Sequence, residues 1–225
     1  MSRIQQLRIE ARQVSYLTTP SATLGLVACA STFASGQEAS KQTSHVQGRP
    51  GLNPLRVDST YEVSPEQLWQ IKKISRDLSI ETQRQNDIDL GFAFEAANGI
   101  FPFNGMNFKA IGRLGHFQKP NDEDLRGILR WVEEARRMSD IALVSIHAHE
   151  QGKTEEDPAE FIRDFAYAAI DTGADIIVGH GPHVLRGLEI YKKKPIFYSL
   201  GNFIGQNELV QRLPADSYDK FRVEG

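Results

Sequence analysis

Three short apolar runs in the second half of the chain most constrain its fold. They are residues 141–146 (Ile-Ala-Leu-Val-Ser-Ile), Asp175-Ile-Ile-Val178 and Pro195-Ile-Phe-Tyr198. Runs this short suit strands better than helices, and their lack of polar alternation suits a sheet covered on its faces. Helical patterns precede the first two, and a polar turn, Lys192-Lys-Lys194, precedes the third. Helices alternating with apolar strands predict an α/β sheet, which places ligands at the loops leaving the carboxyl ends of its strands. A fourth run, Leu24-Gly-Leu-Val-Ala-Cys-Ala30, reads as another buried strand and makes Cys29 a buried structural thiol.

Caps mark three helices. Ser64-Pro65 with Gln67 forms a capping box ahead of the stripe Leu68, Ile71, Ile74 and Leu78. Asn121 with Asp124 opens a second helix, with stripe Leu125, Ile128, Leu129, Val132 and Ala135. Asp157-Pro158 with Glu160 is expected to cap a third, through Phe161, Phe165 and Ala169 to a stop at Gly173. Residues 34–60 are polar and turn-rich and read as one long loop. Residues 81–119 read as an irregular insert of two or three strands, with Phe92, Phe94, Phe101, Phe103 and Phe108 expected in the core.

Composition narrows the function classes. The chain has 225 residues, 40% hydrophobic and 24% charged, enough for one large domain or two small ones and unlike a disordered chain. Lys+Arg number 26 against 29 Asp+Glu, so no basic excess points to nucleic acid. A single cysteine excludes an internal disulfide framework. No apolar run approaches a bilayer span, and no signal-peptide apolar region follows the first residues.

The histidines carry the sharpest chemical signal. Of six, four fall within residues 147–183, and they fall at strand ends. His147 and His149 follow the run ending at Ile146; His180 and His183 follow the run ending at Val178. Gly181 and Pro182 make a helix implausible in Gly179-His-Gly-Pro-His183 and favour a tight turn with close backbone approach. Such a turn can aim both rings at one ion or at two adjacent ions, and neutral imidazole suits zinc, iron or manganese. Glu150 and Glu189 are candidate carboxylates for the same site. His45 and His116 lie outside the cluster. Arg49 and Arg56, around the turn that holds Asn53, are candidates for clamping an anionic substrate. No nucleophile elbow, Walker pattern or dinucleotide-binding glycine pattern is present.

Three stretches resemble the CapA, or poly-γ-glutamate synthesis, family of the calcineurin-like metallophosphoesterase superfamily. They are residues 140–147, residues 171–183, and Glu189-Ile-Tyr through Pro195-Ile-Phe-Tyr-Ser-Leu-Gly-Asn-Phe203. The resemblance is strongest over 121–203 and implies part of an α/β/β/α sandwich around a site for two divalent metal ions. By that resemblance His147, His180 and His183 are metal ligands, and Asn202 supports them with a hydrogen bond. His149 stands where the family usually has glycine, which leaves it an extra ligand or a subfamily feature; with Glu150 it joins Arg49, Asn53 and Arg56 as a substrate-side candidate. The family's first strand, ending in Gly-Asp, and its Asn-Asn-His loop have no counterpart. The expectation is therefore one partial domain over 1–225, with a polar tail at 204–225 and little activity by itself. The implied substrate is a polyanionic polymer or a phosphoester. The implied partners are membrane-associated synthesis or export machinery, which would place the protein at the membrane or outside the cytoplasm. A non-catalytic accessory role in polymer assembly or export is the alternative.

Overall fold

A computed structural model describes residues 6–112, 114–202, 212 and 218. The four apolar runs all become strands of one sheet. Strand β1 (Ser15–Thr18) pairs antiparallel with β2 (Thr23–Ala30) at one edge. From β2 the sheet runs in parallel through β7 (Ile141–His147) and β8 (Ile176–His180) to β10 (Lys194–Phe197). Strand β9 (Leu188–Tyr191) closes the far edge antiparallel, giving the order β1-β2-β7-β8-β10-β9.

Helices α4 (Asp122–Met138) and α5 (Glu160–Thr172) cover one face. The α4 stripe buries Ile128, Val132 and Ala135, while α5 buries Phe161, Phe165 and Ala169. They meet Val27, Val144, Ile146, Ile177 and Ile196 from the strands, all at most 1% exposed. Cys29 lies in this core as expected, and burial pushes its thiol up to about 12, which removes it as a nucleophile.

Among the described residues the opposite face is open. Because strand side chains alternate, each buried residue has a neighbour pointing the other way. Leu26, Leu143, Ile176, Pro195 and Ile190 form one cross-sheet row, with Val178, Phe197 and Leu188 in the row nearer the strand ends. These residues are half-buried or exposed, and among the described residues no second sheet stacks on them.

A smaller sheet, order β4-β5-β3-β6, is built from β3 (Val57–Val63), β4 (Phe101–Phe103), β5 (Met106–Ala110) and β6 (Gly115–Pro120). Helix α2 (Pro65–Asp77) contacts β4 and β5, and α5 contacts β6. The predicted capping box on α2 is formed: Ser64 Oγ accepts from the Gln67 amide and Gln67 Oε1 accepts from the Ser64 amide.

Four local expectations are corrected. The long loop ends earlier than residue 60, because Val57 already enters β3 in register with Pro120 of β6. The insert opens with a helix, α3 (Ile80–Asp89), which buries no residue and whose weak sidedness hid it in the sequence. Phe92 and Phe94 are 81% and 91% exposed and lie outside the core, while Phe101, Phe103 and Phe108 are half-buried between sheet and helix. Helix α5 begins later than predicted: its N-cap is Ala159, with no side-chain cap, and Asp157 closes a turn through its carbonyl to the Gly152 amide. A short helix, α1 (Gln6–Arg12), precedes β1. The 204–225 tail lies outside the described residues, apart from residues 212 and 218.

Candidate functional site at the strand ends

The parallel pairing of β7 with β8 sets His147 directly opposite His180. Both belong to the open face, two residues beyond Ser145 and Val178 in that face's alternation. Their Nδ1 atoms stand 3.2 Å apart, and their ring centroids 5.1 Å apart. Ser145 Oγ fixes the His180 ring through its other nitrogen, Nε2, at 3.0 Å.

The backbone after β8 brings in the other two rings. Gly179 carries no Cβ because one would lie 2.2 Å from the Tyr198 carbonyl oxygen. Gly181 takes φ +124°, a conformation glycine adopts freely, and a Cβ there would crowd the His149 ring and the Ala148 backbone. His183 follows in the left-handed region at φ 64°. Its ring reaches 5.6 Å from that of His149, which is itself 4.9 Å from that of His147. His183 Nδ1 and Asn202 Oδ1 are 2.9 Å apart, so Nδ1–H donates and leaves Nε2 free to accept or ligate. Four imidazoles thus share one edge of the sheet.

Their electrostatics favour the neutral form. Burial holds the pKa of His147, His149 and His180 below the usual imidazole value, and neighbouring histidines lower His147 and His149 further. Neutral imidazole is the form that binds metal. A tetrahedral ion with nitrogens at about 2.0–2.1 Å holds two of them roughly 3.3 Å apart, so the His147–His180 spacing suits two ligands of one ion. The fit stops at a pair: among the described residues no three His, Cys, Asp or Glu side chains converge to hold one ion. The residues present therefore offer two nitrogens at ligand spacing and no third described donor.

The carboxylates divide. Glu150 lies at the cluster, where it opposes the lowering of the His147 and His149 pKa values. One of its oxygens accepts from Ser31 Oγ at 2.8 Å and Thr32 Oγ1 at 2.9 Å. Glu189 faces the helices instead, accepting from the Tyr167 and Tyr198 hydroxyls at 2.6 and 2.7 Å.

The three candidates from the long loop are engaged elsewhere. Arg49 donates to the Glu38 carbonyl and pairs with its carboxylate. Arg56 pairs with the buried Asp124 at the start of α4, donating to both carboxylate oxygens. Asn53 is buried, accepts from Arg12 Nε and donates to the Ala28 carbonyl. Arg12 closes this network onto Asp124 at 2.6 Å. Burial alone would raise the Asp124 pKa, but the hydrogen bonds and charge of Arg56 and Arg12 together hold it below the usual range.

Sequence reasoning missed Arg186, three residues beyond His183. It is 7% exposed and holds the segment after the cluster, donating from Nε to the Glu155 carbonyl at 2.9 Å and from Nη2 to the His149 carbonyl at 3.4 Å. An arginine in a turn after a His-containing loop carries no signal of burial, so only the fold shows it.

A helix-backed, largely parallel sheet with histidines at its strand ends defines an α/β protein consistent with a metallophosphoesterase-like fold. The chain belongs to the bacterial capsule synthesis protein PGA_cap family, whose profile matches residues 5–207. The uncharacterized protein y4sH of Sinorhizobium fredii is 34% identical over 218 residues, covering 97% of this chain and 45% of that protein. The PGA biosynthesis protein CapA of Bacillus subtilis is 47% identical over 157 residues, 68% of this chain and 40% of its own length. A probable polyglutamine synthesis accessory protein of Mycobacterium tuberculosis is 37% identical over 89 residues, 40% of this chain and 22% of its own. The chain therefore spans less than half the length of the relatives it matches.

Proposed function

We propose that this chain carries the histidine side of a divalent-metal centre in a protein of capsule or poly-γ-glutamate synthesis. The observation that carries the reading is the 3.2 Å approach of His147 Nδ1 to His180 Nδ1 across two adjacent strand ends. Family membership supports the setting, and the names of the relatives supply the polymer. His147 and His180 would hold the ion, Ser145 keeps the His180 ring in place, and Asn202 orients His183 toward the same edge. Such an ion supplies Lewis acidity toward a phosphoryl or carboxyl oxygen. Glu150 is the carboxylate placed to add negative charge, at the cost of its hydrogen bonds to Ser31 and Thr32. Two neutral imidazoles offset none of the charge of a dication, so this half-site binds weakly without further anionic donors. The substrate is then a phosphoester or the polyanionic polymer itself, and the working partners are membrane-associated synthesis or export machinery.

A second reading, a non-catalytic accessory protein in polymer assembly or export, is favoured by the lack of a three-donor group among the described residues. Calorimetric titration with Zn2+ and Mn2+, together with turnover of bis(p-nitrophenyl) phosphate, separates the two. The metal-centre reading expects weak binding that His180→Ala abolishes while folding persists, with little or no turnover by this chain. Robust turnover would sink the half-site reading, and undiminished binding by His180→Ala would sink the ligand assignment and favour the accessory role.

A further inference from the structure

Two arginines are buried among the described residues, and only one has a counter-charge. Arg12 is 8% exposed and ion-paired with Asp124 at 2.6 Å. Arg186 is 7% exposed and forms no ion pair with any described carboxylate. Its Nε and Nη2 reach only backbone carbonyls, which carry no net charge, and its Nη1 is buried with no hydrogen-bond partner among the described residues. An uncompensated buried cation is costly, and an unsatisfied charged donor adds to that cost. The Nε and Nη2 bonds hold the surrounding turns, but they neither satisfy Nη1 nor supply a counter-charge.

Its placement gives one. Arg186 touches the backbone of His149, whose ring contacts both His147 and His183. The Nε bond to the Glu155 carbonyl, at 2.9 Å, fixes the plane of the guanidinium. The Nη2 bond, at 3.4 Å, is at the long limit for a hydrogen bond and little is lost when it breaks. Nη1 and Nη2 together form the two-donor edge by which arginine binds phosphate or carboxylate, and Nη1 is closed to solvent in this structure. Glu150, whose charge acts on Arg186 without forming an ion pair, is already taken by two hydroxyls, so the missing anion is not supplied by that side chain.

We propose that Arg186 is the oxyanion-binding residue of the histidine site, its Nη1–Nη2 edge taking two oxygens of a phosphate or carboxylate group on the ligand. The proposal rests on the reading of the histidine cluster as the working site. It separates this arginine from Arg12 and Arg56, whose charges are spent on Asp124.

The test titrates the 225-residue chain with inorganic phosphate and, separately, with poly-γ-glutamate, each with and without Zn2+, as wild type, Arg186→Lys and Arg186→Met. The expected result is at least tenfold weaker binding by Arg186→Met and an intermediate loss for Arg186→Lys, which keeps the charge but not the two-donor edge. Zn2+ affinity stays unchanged and the melting temperature of Arg186→Met stays close to wild type, because the lost Nε bond to the Glu155 carbonyl is offset by removal of an unpaired buried cation. A response to phosphate alone identifies a phosphoester group, and a response to the polymer alone identifies its carboxylates; either supports the proposal. Wild type that binds neither probe, or Arg186→Met that binds like wild type or melts several degrees lower, overturns it. Failure of wild type to take up Zn2+ sinks the metal reading instead, and the two anion arms still decide Arg186.

Discussion

Ile176 and Ile177 are adjacent, chemically identical and on opposite faces of the same strand, β8. Ile177 is 1% exposed under the helices, opposite Val144 of β7 and Ile196 of β10. Ile176 lies on the open face beside Leu143 and Pro195, only half-buried. The covered face is a finished core. The open face carries apolar residues from Leu26 to Ile190 and ends at His147 and His180, so the residues proposed for chemistry stand on a surface that no described element covers. One layer of packing is enough to place two imidazoles 3.2 Å apart, because backbone hydrogen bonds set their register. It does not bring in the further donors a complete centre needs, because no described element stacks over the strand ends on that face.

The contrast can be broken by mutation. Ile177→Ala should cost about 2–5 kcal/mol in urea unfolding, since it opens a cavity in a close-packed interior. Ile176→Ala should cost only about 1 kcal/mol, in proportion to the smaller area it removes from water. Equal costs would mean the open face is as well packed as the covered one.

A second comparison uses charge. Leu26→Lys combined with Leu188→Lys should change stability in urea unfolding by no more than about 1 kcal/mol, because both side chains are exposed. Val27→Lys, one residue from Leu26 but fully buried, should leave the chain unfolded.

The smallest expected effect is a pH dependence from the strand-end histidines. His147, His149 and His180 have folded pKa values below their ordinary 6.5. As pH falls through 6.5 the unfolded chain takes up these protons first, so stability is full above that value and declines below it. Urea midpoints at pH 7.5 and 5.5 should therefore differ, and His180→Ala should reduce the difference. A midpoint that rises on acidification would contradict the neutral, partly buried state of these rings.

Much of this was legible in the chain because local rules fix it. The apolar runs became β2, β7, β8 and β10, the Ser64–Gln67 capping box formed, and Gly173 ended α5 in a backbone conformation that favours glycine. The strand-end histidines could be placed together because a parallel sheet aligns the ends of adjacent strands. Helix α3 was not legible, because its apolar residues form no stripe. The exposed Phe92 and Phe94 were not legible either, since an aromatic residue does not announce whether anything will pack on it. The arginines show the limit most clearly. Arg49 and Arg56 stood out for their turn, yet both meet carboxylates of this chain, and among the described residues the buried cation without a counter-ion is Arg186.

The sequence by itself determined the strands, the caps and the turn chemistry around Gly179 and Gly181, because each follows from side-chain periodicity or backbone sterics within a few residues. Only the tertiary structure decided which charges neutralise one another, which face of the described sheet stays open and which arginine is buried with no described counter-ion. Those outcomes depend on partners such as Arg12 and Asp124, 112 residues apart in the chain, and no local pattern encodes such a distance.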